Sequence, residues 1–395
     1  MDILRIQQDN IIKSTSLEHV REFYNEIEWD DRLIGIKGAR GVGKTTLMIQ
    51  RMKLAFPNLE NVRYISLDNI WFSTHSLMDY VDSVFKDGVT HIFMDEIHHL
   101  DRWEQYLKNI YDSYPGLHIV FTGSSLLEID HSIADLSRRL LMYDMPGLSF
   151  REYLEFKGCK YPKFSLSEIL YDNIKLTNSV NPDQNMVRKF HSYLRHGYFP
   201  FFLKSRETEY LNRVANIVST VVERDIPSME NIDYASLMKA KQLLGILAEQ
   251  TPSTLNIEKT ARNMDISKNL LLKLLFLLDK SQILRLLYYK NERSPKSLAK
   301  PQKILFDNSS IAYSLGVADI GKVRESFLAS AFRGHGLGYP LKGDLLVDNR
   351  YLFEIGGSGK GYSQIANLPD SFIAADDIEF AFGNKIPLWL LGFLY

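Results

Sequence analysis

The chain has 395 residues, of which 45% are hydrophobic and 24% charged, which is typical of a globular protein of two or three domains. Lys and Arg number 47 against 48 Asp and Glu, so the formal charge of -1 excludes a chain that is basic or acidic throughout. The single cysteine, Cys159, excludes an internal disulfide and a cysteine-ligated metal site. The first residues, MDILRIQQDN, lack the pattern of a signal peptide, and no apolar run reaches 18 residues. We therefore predict a cytoplasmic protein with no membrane partner.

The first 155 residues alternate between short apolar runs and longer amphipathic segments. The first 35 residues are predicted to be mostly helical. Four apolar runs then predict buried parallel strands: Leu33–Lys37, Val62–Leu67, His91–Met94 and Leu117–Thr122. Segments of helical character separate these runs, which predicts an α/β domain built on a parallel sheet.

Residues 38–45, GARGVGKT, match the phosphate-loop pattern GxxxxGK[ST] between a predicted strand and a predicted helix. Glycines in such a loop let backbone N–H groups face a phosphate at the helix N-terminus. We predict that Lys44 contacts the β- and γ-phosphates of ATP and that the Thr45 hydroxyl binds Mg²⁺. The alternative is a glycine-rich turn that binds nothing. The predicted nucleotide-binding residues are Gly38, Ala39, Arg40, Gly41, Val42, Gly43, Lys44, Thr45 and Thr46.

Two carboxylates follow the strand His91–Met94, at Asp95 and Glu96. In a phosphate-loop fold, the first would hold Mg²⁺ and the second would act as the general base for an attacking water. The alternative is an acidic helix N-terminus favoured by the helix dipole. His98 and His99 come directly afterwards, and we assign them no metal role.

Polar residues also follow the next predicted strand. Thr122 or Ser124 would lie between the strands that flank the nucleotide and could orient the water, although a turn of small polar residues is equally consistent with the segment. Arg138 and Arg139 could stabilise charge on the transferring phosphoryl group, from the same chain or from a neighbouring subunit. A surface arginine pair is the alternative.

Several segments together resemble the prokaryotic AAA-superfamily ATPases that carry a C-terminal DUF4143 domain. These segments are GARGVGKTT, IFMDEIHHLDRW, FTGSS, SRRLLMYDMPGLSFREYL, HGYFPFFL, VVERDI and KILFDNSSIAYSL. The resemblance implies an αβα P-loop NTPase core, a helical lid, a winged helix-turn-helix and a small nuclease-like α/β domain. It also implies roles for Lys44 and Thr45 (phosphate loop), Asp95 and Glu96 (metal and base), Ser124 (sensor-like) and Arg138 or Arg139 (finger-like).

Residues 236–303 contain 13 Lys and Arg against 5 Asp and Glu, a net charge of +8. Helices at Ala240–Gln250, Ile257–Asn263 and Lys268–Leu278, then a strand at Ile283–Tyr289, form the pattern of a winged helix-turn-helix. Basic residues here could contact DNA phosphates: Lys259, Arg262, Lys268, Lys273, Lys290, Arg293, Lys296 and Lys300. The alternatives are a solvated helix face and a surface that docks a protein.

Near the C-terminus, Asp344–Val347 and Tyr351–Ile355 predict two adjacent strands, and Pro387–Tyr395 predicts a further strand. Asp344 and Glu354 have the spacing of a D…ExK metal-nuclease site, which the family's terminal domain resembles. The lysine position is Gly356, however, and only Lys360 could supply the amine from a displaced position. We therefore favour a vestigial nuclease site used for packing or partner binding.

These patterns predict four domains: an ATPase core (1–155), a helical lid and connection (156–235), a winged helix-turn-helix (236–303) and a nuclease-like domain (304–395). The predicted function is Mg²⁺-dependent hydrolysis of ATP to ADP, which drives a conformational switch that acts on DNA. The alternatives are a nucleotide-gated switch for a protein partner and a DNA nuclease. A homo-oligomer would allow the arginine finger to come from a neighbouring subunit.

Overall fold

The computed structural model describes residues 2–126, 136, 138–249, 256–289, 300–366 and 368–395. The chain forms two compact units. The first contains Met1–Pro146 and Arg224–Asn231, and the second contains Gly147–Glu223 and Ile232–Tyr395. The segment Arg224–Asn231 therefore interrupts the second unit in sequence but packs with the first unit. The boundaries of the four predicted domains remain predictions.

The first unit is built on a five-stranded, all-parallel sheet. Its strands are β1 (Leu33–Gly38), β2 (Val62–Ser66), β3 (His91–Asp95), β4 (His118–Ser124) and β5 (Leu141–Asp144). They lie in the order β2-β3-β4-β1-β5. The four predicted strands and their parallel arrangement are confirmed. Strand β5 was not predicted from the sequence, because its apolar run, Leu140–Tyr143, is short and the strand itself is only partly buried.

The helices of the first unit are α1 (Asp2–Ser14), α2 (Lys44–Ala55), α3 (Leu77–Lys86) and α4 (Trp103–Ser113). The strands bury apolar side chains such as Leu33, Ile92 and Phe121, which explains why their sequences are mainly apolar. Helix α1 packs on the edge strand β2, where the Gln8 side chain accepts a hydrogen bond of 2.8 Å from the Tyr64 backbone N–H. The helix thus satisfies an edge group that would otherwise be unpaired.

The second unit is mainly helical. Its described helices are α5 (Phe150–Phe156), α6 (Leu166–Tyr171), α7 (Asn173–Val180), α8 (Met186–His196), α9 (Glu207–Thr220), α11 (Tyr234–Glu249), α12 (Ile257–Asn263), α13 (Lys268–Lys280), α14 (Ser309–Ser314) and α15 (Ile320–Ala331). The short helix α10 (Ile226–Met229) lies between α9 and α11 in sequence but belongs to the first unit. Aromatic rings hold part of it together, since Phe190 lies 5.3 Å from Phe150 and 4.7 Å from Phe327 between ring centroids. Among the described residues, no helix is both long enough and apolar enough to cross a bilayer.

Within this unit, α11, α12 and α13 precede an antiparallel pair of strands, β6 (Leu284–Leu287) and β7 (Lys303–Phe306). The connection between the two strands includes residues 290–299, which lie outside the described residues together with the predicted contacts Lys290, Arg293 and Lys296. Three helices followed by a two-stranded ribbon have the element order expected of a winged helix-turn-helix, an interpretation that remains a prediction.

The terminal sheet contains β8 (Leu337–Gly338), β9 (Leu345–Val347), β10 (Tyr351–Gly356), β11 (Ser371–Ala375) and β12 (Lys385–Pro387), in the order β12-β11-β10-β9-β8. Strand β10 is antiparallel to β9 and parallel to β11. The prediction of a strand over Pro387–Tyr395 is wrong, because Leu388–Phe393 forms a 3-10 helix with every residue buried. A short, fully buried apolar run does not by itself distinguish a strand from a helix.

Candidate functional site

The phosphate-loop residues 38–43 connect the carboxyl end of β1 to the N-terminus of α2. Gly38, Gly41 and Gly43 have φ values of 153°, 88° and 101°, in the region that favours glycine. A Cβ atom on Gly38 would lie 2.4 Å from the Met145 carbonyl oxygen. The loop therefore needs glycine both for its backbone conformation and for its close approach to the chain after β5.

Lys44 is the first residue of α2 and is buried. Its Nζ donates hydrogen bonds to the backbone carbonyls of Gly38 (2.9 Å) and Ala39 (3.1 Å). Burial lowers the pKa of the Lys44 ammonium, while the carboxylates of Glu96 and Asp95 act in the opposite direction. The loop thus holds the Lys44 amine on its inner side, where a phosphate bound by the loop N–H groups would meet it.

Asp95 is the last residue of β3 and the centre of a buried hydrogen-bond network. Its Oδ2 accepts hydrogen bonds from the hydroxyls of Thr45 (2.8 Å) and Tyr64 (3.0 Å). Its Oδ1 accepts one from the Thr122 hydroxyl. Burial raises the pKa of Asp95, and the three hydroxyl donors oppose that change. Tyr64 was not predicted from the sequence, because nothing in the sequence of β2 marks one of its residues as facing Asp95.

The strand order explains why Thr122 reaches this network. Strand β4 lies between β1 and β3, so its carboxyl end lies between the phosphate loop and the acidic pair. The Glu96 backbone N–H donates to the Thr122 hydroxyl at 3.0 Å. The Ser124 hydroxyl instead accepts the backbone N–H of Leu126 at 3.3 Å. Of the two sequence candidates on this strand, Thr122 is thus the one that contacts both acidic residues.

Glu96 follows β3 in a left-handed conformation, with φ of 54°, which non-glycine residues seldom adopt. Its side chain is about a quarter exposed, at 24%, so that it is accessible to solvent. Its Oε2 lies 3.4 Å from Nε2 of the buried His98. The strained backbone turns the Glu96 carboxylate out of the line of β3 while Asp95 stays in the sheet.

Arg40, the arginine of the phosphate loop, contacts a residue far away in the sequence. Its Nε and Nη2 donate to the two carboxylate oxygens of Asp225, at 3.2 and 3.0 Å. Burial acts to lower the pKa of Arg40, but the Asp225 carboxylate outweighs it and the pKa is raised. Arg21 supports the loop from another side, donating to the carbonyls of Val42 (3.3 Å) and Pro146 (3.0 Å). Neither Asp225 nor Arg21 was found from the sequence, where no spacing links them to the motif.

Arg138 and Arg139 lie near the amino ends of the strands, whereas the phosphate loop lies at their carboxyl ends. They precede β5, whose first residue, Leu141, pairs with Ile34 near the amino end of β1. The guanidinium of Arg139 donates to both carboxylate oxygens of Asp112 in α4, at 3.1 and 3.2 Å. Four strand residues at about 3.3 Å each separate these amino ends from the phosphate loop. The two arginines are thus not adjacent to the loop of their own chain.

Two of the predicted nuclease residues, Asp344 and Glu354, lie close together in the terminal sheet, and each carboxylate faces a lysine amine. Glu354 is buried, and its Oε1 lies 2.5 Å from Nζ of Lys360. Asp344 Oδ2 accepts the Ile355 backbone N–H at 2.8 Å, and its Oδ1 lies 3.7 Å from Lys303 Nζ. These contacts place Asp344 beside β10, on which Glu354 lies.

Lys360 also occupies the space that the missing lysine would use. A Cβ atom built on Gly356 would lie 2.8 Å from the Cβ, Cγ and Cδ atoms of Lys360. The aliphatic stem of Lys360 therefore covers position 356, and its amine reaches Glu354 from there.

On the basic segment, one acid links the helical part to the strand connection. Glu258 of α12 pairs with Lys268 at the start of α13 (3.0 Å) and with Lys300 before β7 (3.1 Å). The hydrogen bonds from these two lysines lower the pKa of Glu258 to about 2. Lys259 and Arg262 are exposed on α12, and Lys273 is exposed on α13.

Comparison with known proteins gives matches to two family models. Residues 30–154 match an AAA domain, and residues 187–321 match a domain of unknown function, DUF8612. The first match covers all five strands of the parallel sheet and the phosphate loop. The second is a different domain from the DUF4143 domain that the sequence motifs suggested. The comparison thus supports the AAA part of that resemblance and not the DUF4143 part.

The chain is similar to two uncharacterized proteins of Methanocaldococcus jannaschii. It is 29% identical to MJ1637 over 409 aligned positions, covering 92% of this chain and 84% of that one, and 24% identical to MJ1544 over 239, covering 57% and 48%. Among solved structures it matches the Aeropyrum pernix Orc1 protein in complex with DNA (TM-score 0.36, 10% identity, 79% and 91% coverage). It also matches AMPPCP-bound DnaA from Aquifex aeolicus (TM-score 0.29, 14% identity, 73% and 89% coverage). The residues that match the AAA domain, 30–154, thus contain both the phosphate-loop motif and the five-stranded parallel sheet.

Proposed function

We propose that the protein binds ATP with Mg²⁺ and hydrolyses it to ADP and phosphate. The observation that carries this proposal is the convergence of Lys44, Thr45, Asp95 and Glu96 at the carboxyl edge of one parallel sheet. The N-terminus of α2 and the loop N–H groups would bind the phosphates, and Lys44 would neutralise the β- and γ-phosphates.

The residues present fit a magnesium ion. Thr45 and Asp95 offer hard oxygen ligands, and the two atoms lie 2.8 Å apart. Adjacent ligands of an octahedral Mg²⁺ with bonds of about 2.1 Å are separated by roughly 3 Å. Bound there, the ion would neutralise the charge that develops on the phosphates.

Glu96 is the group proposed to activate the water. Its carboxylate accepts a proton as the water oxygen bonds to the γ-phosphorus and the bond to the β–γ bridging oxygen breaks. Thr122 holds both Asp95 and the Glu96 backbone, so we propose that it positions the acidic pair.

Arg138 and Arg139 lie near the amino ends of the strands, away from the phosphate loop, so either would act as an arginine finger only on a neighbouring copy. We propose a homo-oligomer on that ground, which light scattering with and without ATP tests.

The core proposal is tested by calorimetry with ATP and Mg²⁺ together with phosphate release. Lys44→Ala removes charge-assisted contacts worth about 3 kcal/mol, so we expect ATP binding to weaken by roughly 100-fold or more. Glu96→Gln keeps binding but lowers kcat by about 10²- to 10⁴-fold, so that ATP stays bound. Lys86→Ala, an exposed lysine of α3, is the matched control and should change neither quantity. Wild-type affinity in Lys44→Ala, or no ATP binding by the wild type, would refute the proposal.

We further propose that hydrolysis is coupled to duplex DNA through residues 236–303. The support is the order α11, α12, α13, β6, β7 and the exposed basic residues Lys259, Arg262 and Lys268. Glu258 brings Lys268 and Lys300 to one place, as a phosphate would.

The test measures DNA affinity against salt, and ATP turnover with and without DNA. Each lost phosphate contact lowers the slope of log K against log[salt] by about 0.9. We therefore expect Arg262→Ala with Lys268→Ala to lower that slope by roughly 2, while Lys86→Ala leaves it unchanged. If DNA neither binds nor stimulates turnover, and Glu96→Gln with ATP captures a specific protein, the alternative of a protein-partner switch is favoured instead.

A nuclease in the terminal sheet is the second candidate function. The specific observation in its favour is that Lys360 covers Gly356 and reaches Glu354, which supplies an amine where the motif lacks one. With Asp344, this arrangement could hold Mg²⁺ beside a buried carboxylate. Mg²⁺-dependent DNA cleavage that is lost in Glu354→Ala and in Lys360→Ala, but kept in Asp370→Ala, would establish it. Absence of cleavage by the wild type would support a vestigial site.

A further inference from the structure

His98 is a buried imidazole next to the proposed general base. It lies in the 3-10 helix Ile97–His99 directly after Glu96, and its side chain is 1% exposed. Burial, followed by the neighbouring His99, lowers the pKa of His98 to about 4. The ring is therefore neutral near pH 7, with one nitrogen carrying a proton and the other a lone pair.

Neither ring nitrogen of His98 has a hydrogen-bond partner of good geometry among the described residues. Leaving a buried N–H unpaired is unfavourable, so an acceptor within reach is expected to pair with it. The Glu96 carboxylate is within reach, since its Oε2 lies 3.4 Å from Nε2. A small rotation of the Glu96 side chain would shorten this distance, and catalytic hydrogen bonds often tighten only when substrate is bound.

The surroundings limit where the Glu96 carboxylate can go. Its backbone is held by the left-handed conformation and by the hydrogen bond from its N–H to Thr122. Helix α10 packs on the turn Ile97–His99, which keeps that turn in place beside the phosphate loop. With the backbone of Glu96 fixed, rotation of its side chain is the remaining freedom, and the buried His98 lies 3.4 Å from its carboxylate.

We propose that His98 is a positioning residue for Glu96. Its Nε2–H donates to Oε2 and fixes the carboxylate, so that Oε1 remains free to accept the proton of the attacking water. This inference rests on the proposed ATPase function, and it assigns His98 an indirect role because His98 does not touch the substrate. Outer groups that orient a reacting ligand in this way commonly change activity by 10- to 100-fold.

The experiment compares His98→Leu, which removes the donor, with His98→Gln, which restores an N–H donor close to the position of Nε2. We expect His98→Leu to lower kcat by roughly 10- to 100-fold with the ATP Kd unchanged, and His98→Gln to recover most of that loss. His99→Gln, at the exposed neighbouring position, is the control and keeps wild-type kcat. Unchanged kcat in His98→Leu overturns the inference, as does an equal loss in His98→Leu and His98→Gln.

Two further measurements separate this inference from the ATPase proposal. In the Glu96→Gln background, His98→Leu should have no additional effect on kcat, because His98 acts through Glu96. Nitrogen NMR of the histidine rings in the full chain does not require turnover. It should show His98 as the Nε2–H tautomer, with a shift that changes in Glu96→Ala. An Nδ1–H tautomer of His98 would contradict the role of His98 even if the protein hydrolyses ATP. Loss of turnover in Glu96→Gln, by contrast, tests only the ATPase proposal.

Discussion

The contact between Arg40 and Asp225 provides a sharp test of how the phosphate loop is held. The proposed change is Asp225→Ala, which removes both acceptors of the Arg40 guanidinium, at 3.0 and 3.2 Å. The Asp225 side chain is 5% exposed and the Arg40 side chain 35% exposed. The pair is therefore intermediate between an exposed ion pair and a buried one.

The magnitude follows from that intermediate position. Exposed ion pairs contribute about 0.2–1 kcal/mol, whereas removal of one partner of a buried pair costs about 3–5 kcal/mol. Because about a third of Arg40 is in water and regains hydration, we take roughly 2 kcal/mol. At about 1.4 kcal/mol per factor of ten, the local opening of the segment 224–231 should become about 30-fold more frequent.

Amide hydrogen exchange read by mass spectrometry measures this opening directly. In Asp225→Ala, peptides that cover residues 224–231 should exchange about 30-fold faster, while peptides of β1 keep their protection. The matched control is Asp112→Ala, which breaks the two-contact pair with Arg139 near the amino ends of the strands. It should leave residues 224–231 unchanged. A change below about threefold in Asp225→Ala would show that the ion pair does not hold this segment.

Two further predictions concern buried carboxylates. Tyr64→Phe removes one hydroxyl donor from the Asp95 carboxylate and should destabilise the protein by about 1.5 kcal/mol, seen as a fall of a few degrees in Tm by calorimetry; an unchanged Tm would contradict the role of that hydrogen bond. The hydrogen bond to Asp376 raises the pKa of His191 in the folded protein. The contribution of this pair to folding stability is therefore fully present below the unfolded pKa of about 6.5, and it is lost as the pH rises through the higher folded pKa. His191→Gln should therefore be less stable than the wild type at pH 5 and similar to it at pH 9, and a difference independent of pH would argue against this linkage.

Local patterns were sufficient for much of the first unit. The four longer strands of the parallel sheet are largely buried, so each appears as a mainly apolar run. The phosphate loop and the pair Asp95–Glu96 are each contiguous in sequence. Strand β5 was missed, and the strand predicted for Pro387–Tyr395 is mostly a 3-10 helix, because short or uniformly buried segments carry no period that identifies them.

The sequence by itself thus determined the αβ pattern, the phosphate loop and the acidic pair, since each depends on neighbouring residues. Only the tertiary structure decided which side chains meet Asp95, because that depends on β4 lying between β1 and β3. It alone joined Arg40 to Asp225, 185 residues apart, and set Lys360 over Gly356. Such contacts depend on strand order and chain return, and no local spacing encodes either of them.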